Sequence, residues 1–316
     1  MLRYIGKRLL ISIVTMFVIL SLLFLLLEFM PGSPFNDEKL NEQQKELLYE
    51  KYGLNKPIHE RFFIYTTNIL KGDFGVSYTI EKNAPVSRML ETRMPISIRL
   101  GLQALVFGSL IGVVLASIAA VYKNSKWDTM TTIFAVIGIS IPSYVFALGL
   151  SYFLGYKLTL AGYPIFPMTY NLYRPIQSSI LPTVALSMFV IATVARFMRT
   201  ELVEVLGSDY IMLAEAKGLT AKKVIFRHSI RNALIPVVTV LGPLTVGLMT
   251  GSLVIERIFG IPGIGDLLVT AISVNDFNVV IAISFFYSLF YIIMALFIDV
   301  IYGVIDPRIR VDKGGE

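Results

Sequence analysis

The chain contains no cysteine. Disulfides, thiol nucleophiles and thiolate metal sites are therefore excluded, and no compartment is indicated. Histidine is nearly absent too: His59 and His228 stand alone, with no metal-ligand spacing around either. Charge is scarce, at 16% Asp, Glu, Lys and Arg, against about 25% in soluble domains. No G-x-x-x-x-G-K-[ST] segment exists to wrap backbone amides around phosphates, and neither H-E-x-x-H nor a nucleophile elbow occurs. "GIPGIG" at 260–265 is the nearest glycine cluster. It follows an apolar helix rather than a strand and lacks the G-x-G-x-x-G spacing, so it reads as a turn. Self-contained catalysis and a resident nucleotide find no support, and no cofactor is expected. Ionisable groups are missing from the middles of the apolar runs as well. Glu28, Arg99, Asp128, Arg196, Glu256 and Asp299 all lie near run ends, where side chains reach the interface, which disfavours a proton or sodium relay inside the membrane.

What is abundant is apolar surface: 55% of residues are hydrophobic and the mean hydropathy is +0.70. Leu9 to Leu27 is an uncharged run of 19 residues, which at ~1.5 Å per residue covers about 28 Å of a hydrocarbon core about 30 Å thick. Arg3, Lys7 and Arg8 precede it, as in a secretory signal. A signal core is usually only ~7–15 residues long and ends at small residues, whereas Glu28 and "MPGSP" follow here, so an uncleaved span is expected. Further apolar runs lie at about 100–122, 129–156, 180–198, 234–255 and 277–299. The expected fold is an all-α membrane protein with six transmembrane helices.

Basic residues set the orientation. Segments 1–8, 123–128, 196–233 and 304–316 hold fifteen Lys and Arg, while the two short loops on the other side, 157–178 and 257–276, hold only Lys157, Arg174 and Arg257. Both termini are expected in the cytoplasm. The net charge of +6 is then a topology signal rather than a nucleic-acid footprint. Residues 31–98 form the one large outside segment, with nine basic and nine acidic residues. "NDEKLNEQQKELLYEKYGL" reads as a helix capped by Asn36 or Asp37, with Leu40, Leu47 and Leu48 on one side and Gly53 as its stop. "KPIHERFFIYTTNIL" restarts with Pro57 in the first turn and Ile58, Phe62, Tyr65 and Ile69 at helical spacing. A small helical cap packed on the outer ends of the spans is expected, with docking of a delivery protein as its functional alternative. The chain divides as 1–30 (first span), 31–98 (cap), 99–305 (five-helix core) and 306–316 (tail).

Within the spans, Gly108 and Gly112, and again Gly247 and Gly251, form G-x-x-x-G pairs, and Ala116 and Ala120 continue the first face; small residues at this spacing let helices approach closely. Pro142, Pro182, Pro236 and Pro243 favour bends. Such bends suit either a static bundle or one that rocks.

Between two apolar runs lies "SDYIMLAEAKGLTAKKVIFRHSIRNALIP", residues 208–236. Asp209 is a plausible N-cap, Gly218 a C-terminal stop, and Thr220 the cap of a second, basic helix. Lys223, Arg227 and Arg231 recur at i, i+4 and i+8, with Val224, Ile225 and Ile230 directed elsewhere. One reading is an interfacial helix on anionic lipid. Another is a docking element that receives force from a soluble motor, for which the small Ala214, Ala216 and Gly218 let the helix seat in a groove.

"AEAKG", followed by a basic helix and "NALIP", resembles the cytoplasmic coupling loop of binding-protein-dependent ABC importer permeases, in the branch that carries peptides. The resemblance extends through "PGSPF", "YGLNKPI", "KGDFGVS", "APVSRMLETRMPISIRLG", "ISIPSY", "ILPTVALS", "IERIFGIPGIGDLL" and "DPRIR". It is strongest to the B-type membrane subunit of oligopeptide permeases, particularly those of Gram-positive bacteria. Two positions depart from the family pattern: Ser33 stands where Asp is frequent, and Glu215 where Arg is frequent. The resemblance implies a coupling role for Asp209, Tyr210, Ala214, Glu215, Ala216, Lys217, Gly218 and Leu219, within a coupling loop at 206–233. It also implies a second permease subunit, two cytoplasmic ATP-binding subunits and an external, lipid-anchored peptide-binding protein that delivers the peptide. Importers of dipeptides, nickel chelates or glutathione share these motifs and form the alternative. A stand-alone secondary transporter or channel, and a membrane scaffold or sensor, are the readings from other classes.

Overall fold

A computed structural model of the chain describes residues 2–29, 41–160, 163–249 and 252–305. Helix α1 (Leu2–Glu28) is followed by α2 (Glu42–Lys51), α3 (Ile58–Leu70), α4 (Val86–Val121), α5 (Lys126–Ser140) and α6 (Ser143–Leu150), the last continuing as a π-helical turn over Ser151–Lys157. A two-strand antiparallel hairpin (β1, Thr159–Leu160; β2, Tyr163–Pro164) and α7 (Pro175–Ser178) lead to α8 (Ile180–Leu206). Then come α9 (Asp209–Ala216), α10 (Ala221–Lys223), a second π-helical turn (Val224–Ser229), α11 (Ile230–Met249), α12 (Leu253–Phe259), α13 (Ile264–Ser273) and α14 (Phe277–Ile305).

Four helical stretches are long and apolar enough to cross a bilayer: Arg8–Glu28, Val86–Val121, Ile180–Leu206 and Phe277–Phe297. Two further apolar stretches are broken. Lys126–Ser140 meets Ser143–Lys157 at 103°, and Ala221–Val238 meets Val240–Met249 at 55°. The six apolar runs of the sequence map onto these four helices and two bent pairs. The larger bend has a local cause. Pro142 disfavours helical geometry at the residue before it, and Ile141 is extended, with φ −88° and ψ 125°. Pro236 and Pro243 both lie inside α11, each removing one backbone donor from the helix ladder.

The chain divides into two compact units. The first comprises Met1–Ile96 and Pro262–Leu296. Its core gathers Leu20, Phe24 and Leu27 of α1, Ile69 of α3, Val86, Met89 and Leu90 of α4, Leu267 and Ala271 of α13, and Val279 to Ile283 of α14. The described part of the expected cap therefore shares one core with the first and last spans. Asn36, Asp37 and Leu40 lie outside the described residues. Helix α2 is capped by Asn41, whose Oδ1 accepts from the Gln44 amide at 2.8 Å while Gln44 Oε1 accepts from the Asn41 amide at 3.1 Å. This reciprocal arrangement satisfies two donors that a helix start leaves over. Gly53 follows with φ +68°, in the stop position expected of it. In α3, Pro57 is the N-cap rather than a first-turn residue, and Ile58 is exposed. Phe62, Tyr65 and Ile69 turn inward.

A buried carboxylate ties distant parts of this unit together. Asp276 is fully buried. It accepts from Ser77 Oγ at 2.6 Å and from the amides of Tyr78, Thr79 and Ile80 at 3.1, 3.0 and 3.2 Å. Asn278 Nδ2 donates to the Val76 carbonyl at 2.9 Å. The Gly75 backbone, at φ +73°, lies so close that a Cβ there would be 2.8 Å from Asn278 Nδ2.

The second unit comprises Ser97–Ile261 and Phe297–Glu316, and its described part is organised around α8. Val190, Val194, Met198 and Leu202 of that helix pack with Ala116 and Ala120 of α4 and with Ala233 and Val237 of α11. The small residues of α4 act as the sequence suggests: a Cβ on Gly108 would be 2.7 Å from Val190 Cβ, and one on Gly112 would be 2.7 Å from Val194 Cβ. Gly138 of α5 is equally close to Ala192. A Cβ on Gly247, by contrast, would meet nothing of the described residues within 4 Å, and Gly251 falls outside the described residues.

Several of the ionisable groups expected to snorkel are instead paired inside the protein. Asp128 is 5% exposed and takes Arg199 in a two-point contact, Nε to Oδ1 at 2.5 Å and Nη2 to Oδ2 at 2.7 Å. Glu256 is fully buried and accepts from Ser97 Oγ at 2.6 Å. Arg99 donates to the Tyr170 hydroxyl, and Glu28 pairs with Arg61. Arg196 stays exposed as expected. Proximity to a run end does not separate a side chain that reaches water from one folded back on a partner.

Candidate functional site

The segment between α8 and α11 begins with a short helix, α9. Gly207 caps α8, and Ser208, rather than Asp209, is the N-cap of α9. Asp209 occupies the first helical position, where its carboxylate complements the positive end of the helix. Gly218 closes the helix as expected. Its φ is +76°, its amide donates to the Glu215 carbonyl at 2.8 Å, and the Leu219 amide donates to the Ala214 carbonyl at 3.3 Å.

Beyond Gly218 the structure departs from the sequence reading. Thr220 does cap a helical turn, but no separate basic helix forms. Helix α10, the π-helical turn and the first part of α11 run on together as Ala221–Val238, so the basic stretch is the beginning of the next long helix. Ser229 is buried, and its hydroxyl donates to the Val224 carbonyl at 3.1 Å, five residues back, at the spacing of the widened turn. Lys223, Arg227 and Arg231 are all exposed; Val224 is buried, and Ile225 and Ile230 are half-buried.

The candidate residues sort into two groups. Ala214 packs inward with Ile211 and Val224, and Leu219 leans on the same cluster together with Val205 of α8. These side chains hold α9 to the body of its unit. Asp209, Tyr210, Glu215, Ala216, Lys217 and Gly218 are exposed. Tyr210 is also anchored, its hydroxyl accepting from Asn232 Nδ2 at 3.0 Å. Since Asn232 lies in α11, this bond links the short helix directly to the long one.

Three residues not singled out in the sequence belong to the same surface. Met212 is 63% exposed, Leu213 56% and Phe226 66%. Large apolar side chains left in the open beside charged ones mark a surface that another body covers. The signal was present in "YIMLAEA": an eight-residue helix bearing Tyr, Ile, Met, Leu and two Ala cannot turn all of them to one core. With Ile211 and Ala214 inward, the helical period directs Met212 and Leu213 outward. The surface offers no nucleophile and base in contact and no cradle for phosphate; it can grip, and through Tyr210 and the inward cluster it can pass motion to α11 and α8.

Comparison with known proteins identifies the family. Residues 112–311 match the family model described as "Binding-protein-dependent transport system inner membrane component". The dipeptide transport system permease protein DppB of Bacillus subtilis is 41% identical over all of both chains. DppB of Lactococcus lactis is 41% identical over 98% of this chain and 100% of its own. The oligopeptide transport system permease protein OppB of Salmonella typhimurium is 38% identical over the same shares. The similarity is thus not confined to Gram-positive bacteria. Among solved structures, an amino acid ABC transporter chain superposes with a TM-score of 0.51 at 16% identity, covering 68% of this chain and 92% of that one, which shows a shared fold. A multi-pass helical chain matched over nearly its whole length by such permeases is a membrane transport component: it belongs to the family of binding-protein-dependent transport system inner membrane components.

Proposed function

We propose that this chain is the permease subunit of an ATP-driven importer and forms half of a translocation path for oligopeptides. The observation that carries the reading is the exposure of Met212 and Leu213 on α9, which is tied to α11 through Tyr210 and Asn232, and of Phe226 on the adjoining π-helical turn, in a chain whose sequence lacks a nucleotide motif. In this account both termini and the 206–233 loop face the cytoplasm, and 31–98 caps the outside. Two ATP-binding subunits supply the energy, one docked on Asp209, Tyr210, Glu215, Ala216, Lys217 and Gly218, with Ala214 and Leu219 holding the helix from behind. A second, homologous permease completes the path, and an external peptide-binding protein, lipid-anchored where there is no outer membrane, delivers the cargo. The division into 1–30, 31–98, 99–305 and 306–316 follows that topology. Peptide as cargo is supported by the names of these relatives, which speak of dipeptides and oligopeptides.

The test is Leu213→Asp, which places a charge on the exposed side of α9 without touching its inward cluster. The tagged variant should reach the membrane at the normal level, lose its copurifying ATP-binding subunit and lose more than about 90% of ATP-dependent uptake of a labelled peptide, since burying an unpaired charge in an interface costs several kcal/mol. Normal copurification together with normal uptake would reject the assignment.

A further inference from the structure

The first unit encloses a cavity of about 690 Å³, within the usual range for small-molecule sites. It is walled by the outer end of α1, by α3, by the chain from Glu50 to Lys56 and by the start of α14. Two hydrogen-bond donors, one helical turn apart on α3, line it. Arg61 pairs through Nη2 with Glu28 and donates through Nη1 to the Leu54 carbonyl at 3.4 Å, while its Nε–H is buried with no partner among the described residues. The Tyr65 hydroxyl is likewise buried and unpartnered. Burial pushes the Tyr65 phenol far above its ordinary pKa, so it stays protonated and remains a donor. Buried donors without acceptors are uncommon in proteins, and each calls for an explanation.

The rest of the lining gives the ligand its character. Glu50 and Asp73 present carboxylates, Lys51 and Lys56 present ammonium groups, and Phe24 and Leu27 make an apolar floor. A lining with both signs of charge and an apolar floor matches a molecule carrying both charges on an apolar body. Phe24 and Leu27 belong to the buried side of α1, whereas Leu22 and Leu26 on its other side are exposed; this favours a free solute over a headgroup tethered in the bilayer.

We propose that this cavity binds a small zwitterion with an apolar body, the chemistry of an amino acid or short peptide, with its carboxylate on Arg61 Nε and Tyr65 Oη and its ammonium beside Glu50 and Asp73. The site lies wholly within the first unit and does not depend on which solute the assembled importer carries. It would give the chain a means of sensing peptide outside the membrane, in the topology proposed above, separate from the path itself.

The experiment measures calorimetric binding of dileucine to the full chain, copurified with its partner subunits in lipid nanodiscs, and compares it with the Tyr65→Phe variant. C-amidated dileucine, N-acetylated dileucine and glycerophosphoethanolamine serve as further probes. Saturable binding is expected, weakened about tenfold or more by Tyr65→Phe and by amidation, the effect of removing a hydrogen bond to a charged group, and weakened by acetylation as well. Because the hydroxyl has no partner among the described residues, Tyr65→Phe should leave the unfolding midpoint unchanged or raise it. Absence of saturable binding would mean that water alone fills the cavity and would overturn the proposal. So would binding equal in wild type and Tyr65→Phe, a lowered unfolding midpoint in that variant, or preferential binding of glycerophosphoethanolamine at the Tyr65-dependent site. ATP-dependent peptide uptake by the same preparation reports on the transport reading independently.

Discussion

At Gly218 the backbone conformation, not the space around it, decides what a substitution does. Its φ is +76°, yet a Cβ placed there would meet nothing within 4 Å. Gly218→Val should therefore strain the turn by roughly 1–2 kcal/mol and reduce ATP-dependent uptake, while Gly218→Asn, a residue that tolerates the left-handed region, should retain most of it. Labelled-peptide uptake at matched membrane levels measures the difference, and equal loss in both would show that bulk, not conformation, matters. At Gly112 the reverse holds. A Cβ there would collide with Val194 at 2.7 Å and approach the Ile191 carbonyl at 3.0 Å. Gly112→Leu should force α4 off α8 and lower the thermal midpoint in detergent, by the 1–3 kcal/mol typical of overpacking. Gly247→Ala, in open space, should leave this chain's own stability unchanged.

Between elements, stability rests on a few polar contacts that link residues far apart in the sequence. Asp276 lies almost 200 positions from the Ser77–Ile80 turn whose donors it accepts. Asp276→Asn would turn an amide NH2 toward backbone N–H groups, and should destabilise the first unit by roughly 2–3 kcal/mol in chemical denaturation; an unchanged midpoint would deny the carboxylate this role. Arg199 and Asp128 clamp α8 to α5. Arg199→Met would strand a buried carboxylate and should cost more stability than the double change Arg199→Met with Asp128→Leu, because breaking such a pair is worse than replacing it. These contacts also mark where sequence reading stops. Apolar runs announce spans because the bilayer demands about 20 apolar residues in a row, and Gly53, Gly218 and the Gly108 and Gly112 pair announce a stop or a close approach because their spacing carries the physics. No local pattern tells Asp276 to find residues 77–80, or Glu256 to find Ser97. The same limit applied in the 206–233 loop: the short helix and its glycine stop were legible, but Met212 and Leu213 became conspicuous only once Ile211 and Ala214 were seen to face inward.

Over the whole molecule, the account is a division of labour. The described part of one unit is built around α8, with glycine and alanine faces that bring helices close and two proline-associated bends of 103° and 55°. Broken spans give a bundle hinges of the kind that alternating access requires. The sequence carries no G-x-x-x-x-G-K-[ST] segment, and in the proposed function the exposed apolar residues of α9 and the adjoining π-helical turn are the grip through which an external motor would act. The family match covers residues 112–311, while the stretch before it owes its reading to relatives aligned over 98% of the chain or more. The most direct measurement is an omission assay in proteoliposomes, following labelled oligopeptide accumulation with purified chains added or left out one at a time. Accumulation should require ATP, both permease chains and the ATP-binding subunits, and should vanish when any one is omitted. Nucleotide hydrolysis by this chain alone, or peptide accumulation by it alone under an ion gradient, would contradict the account.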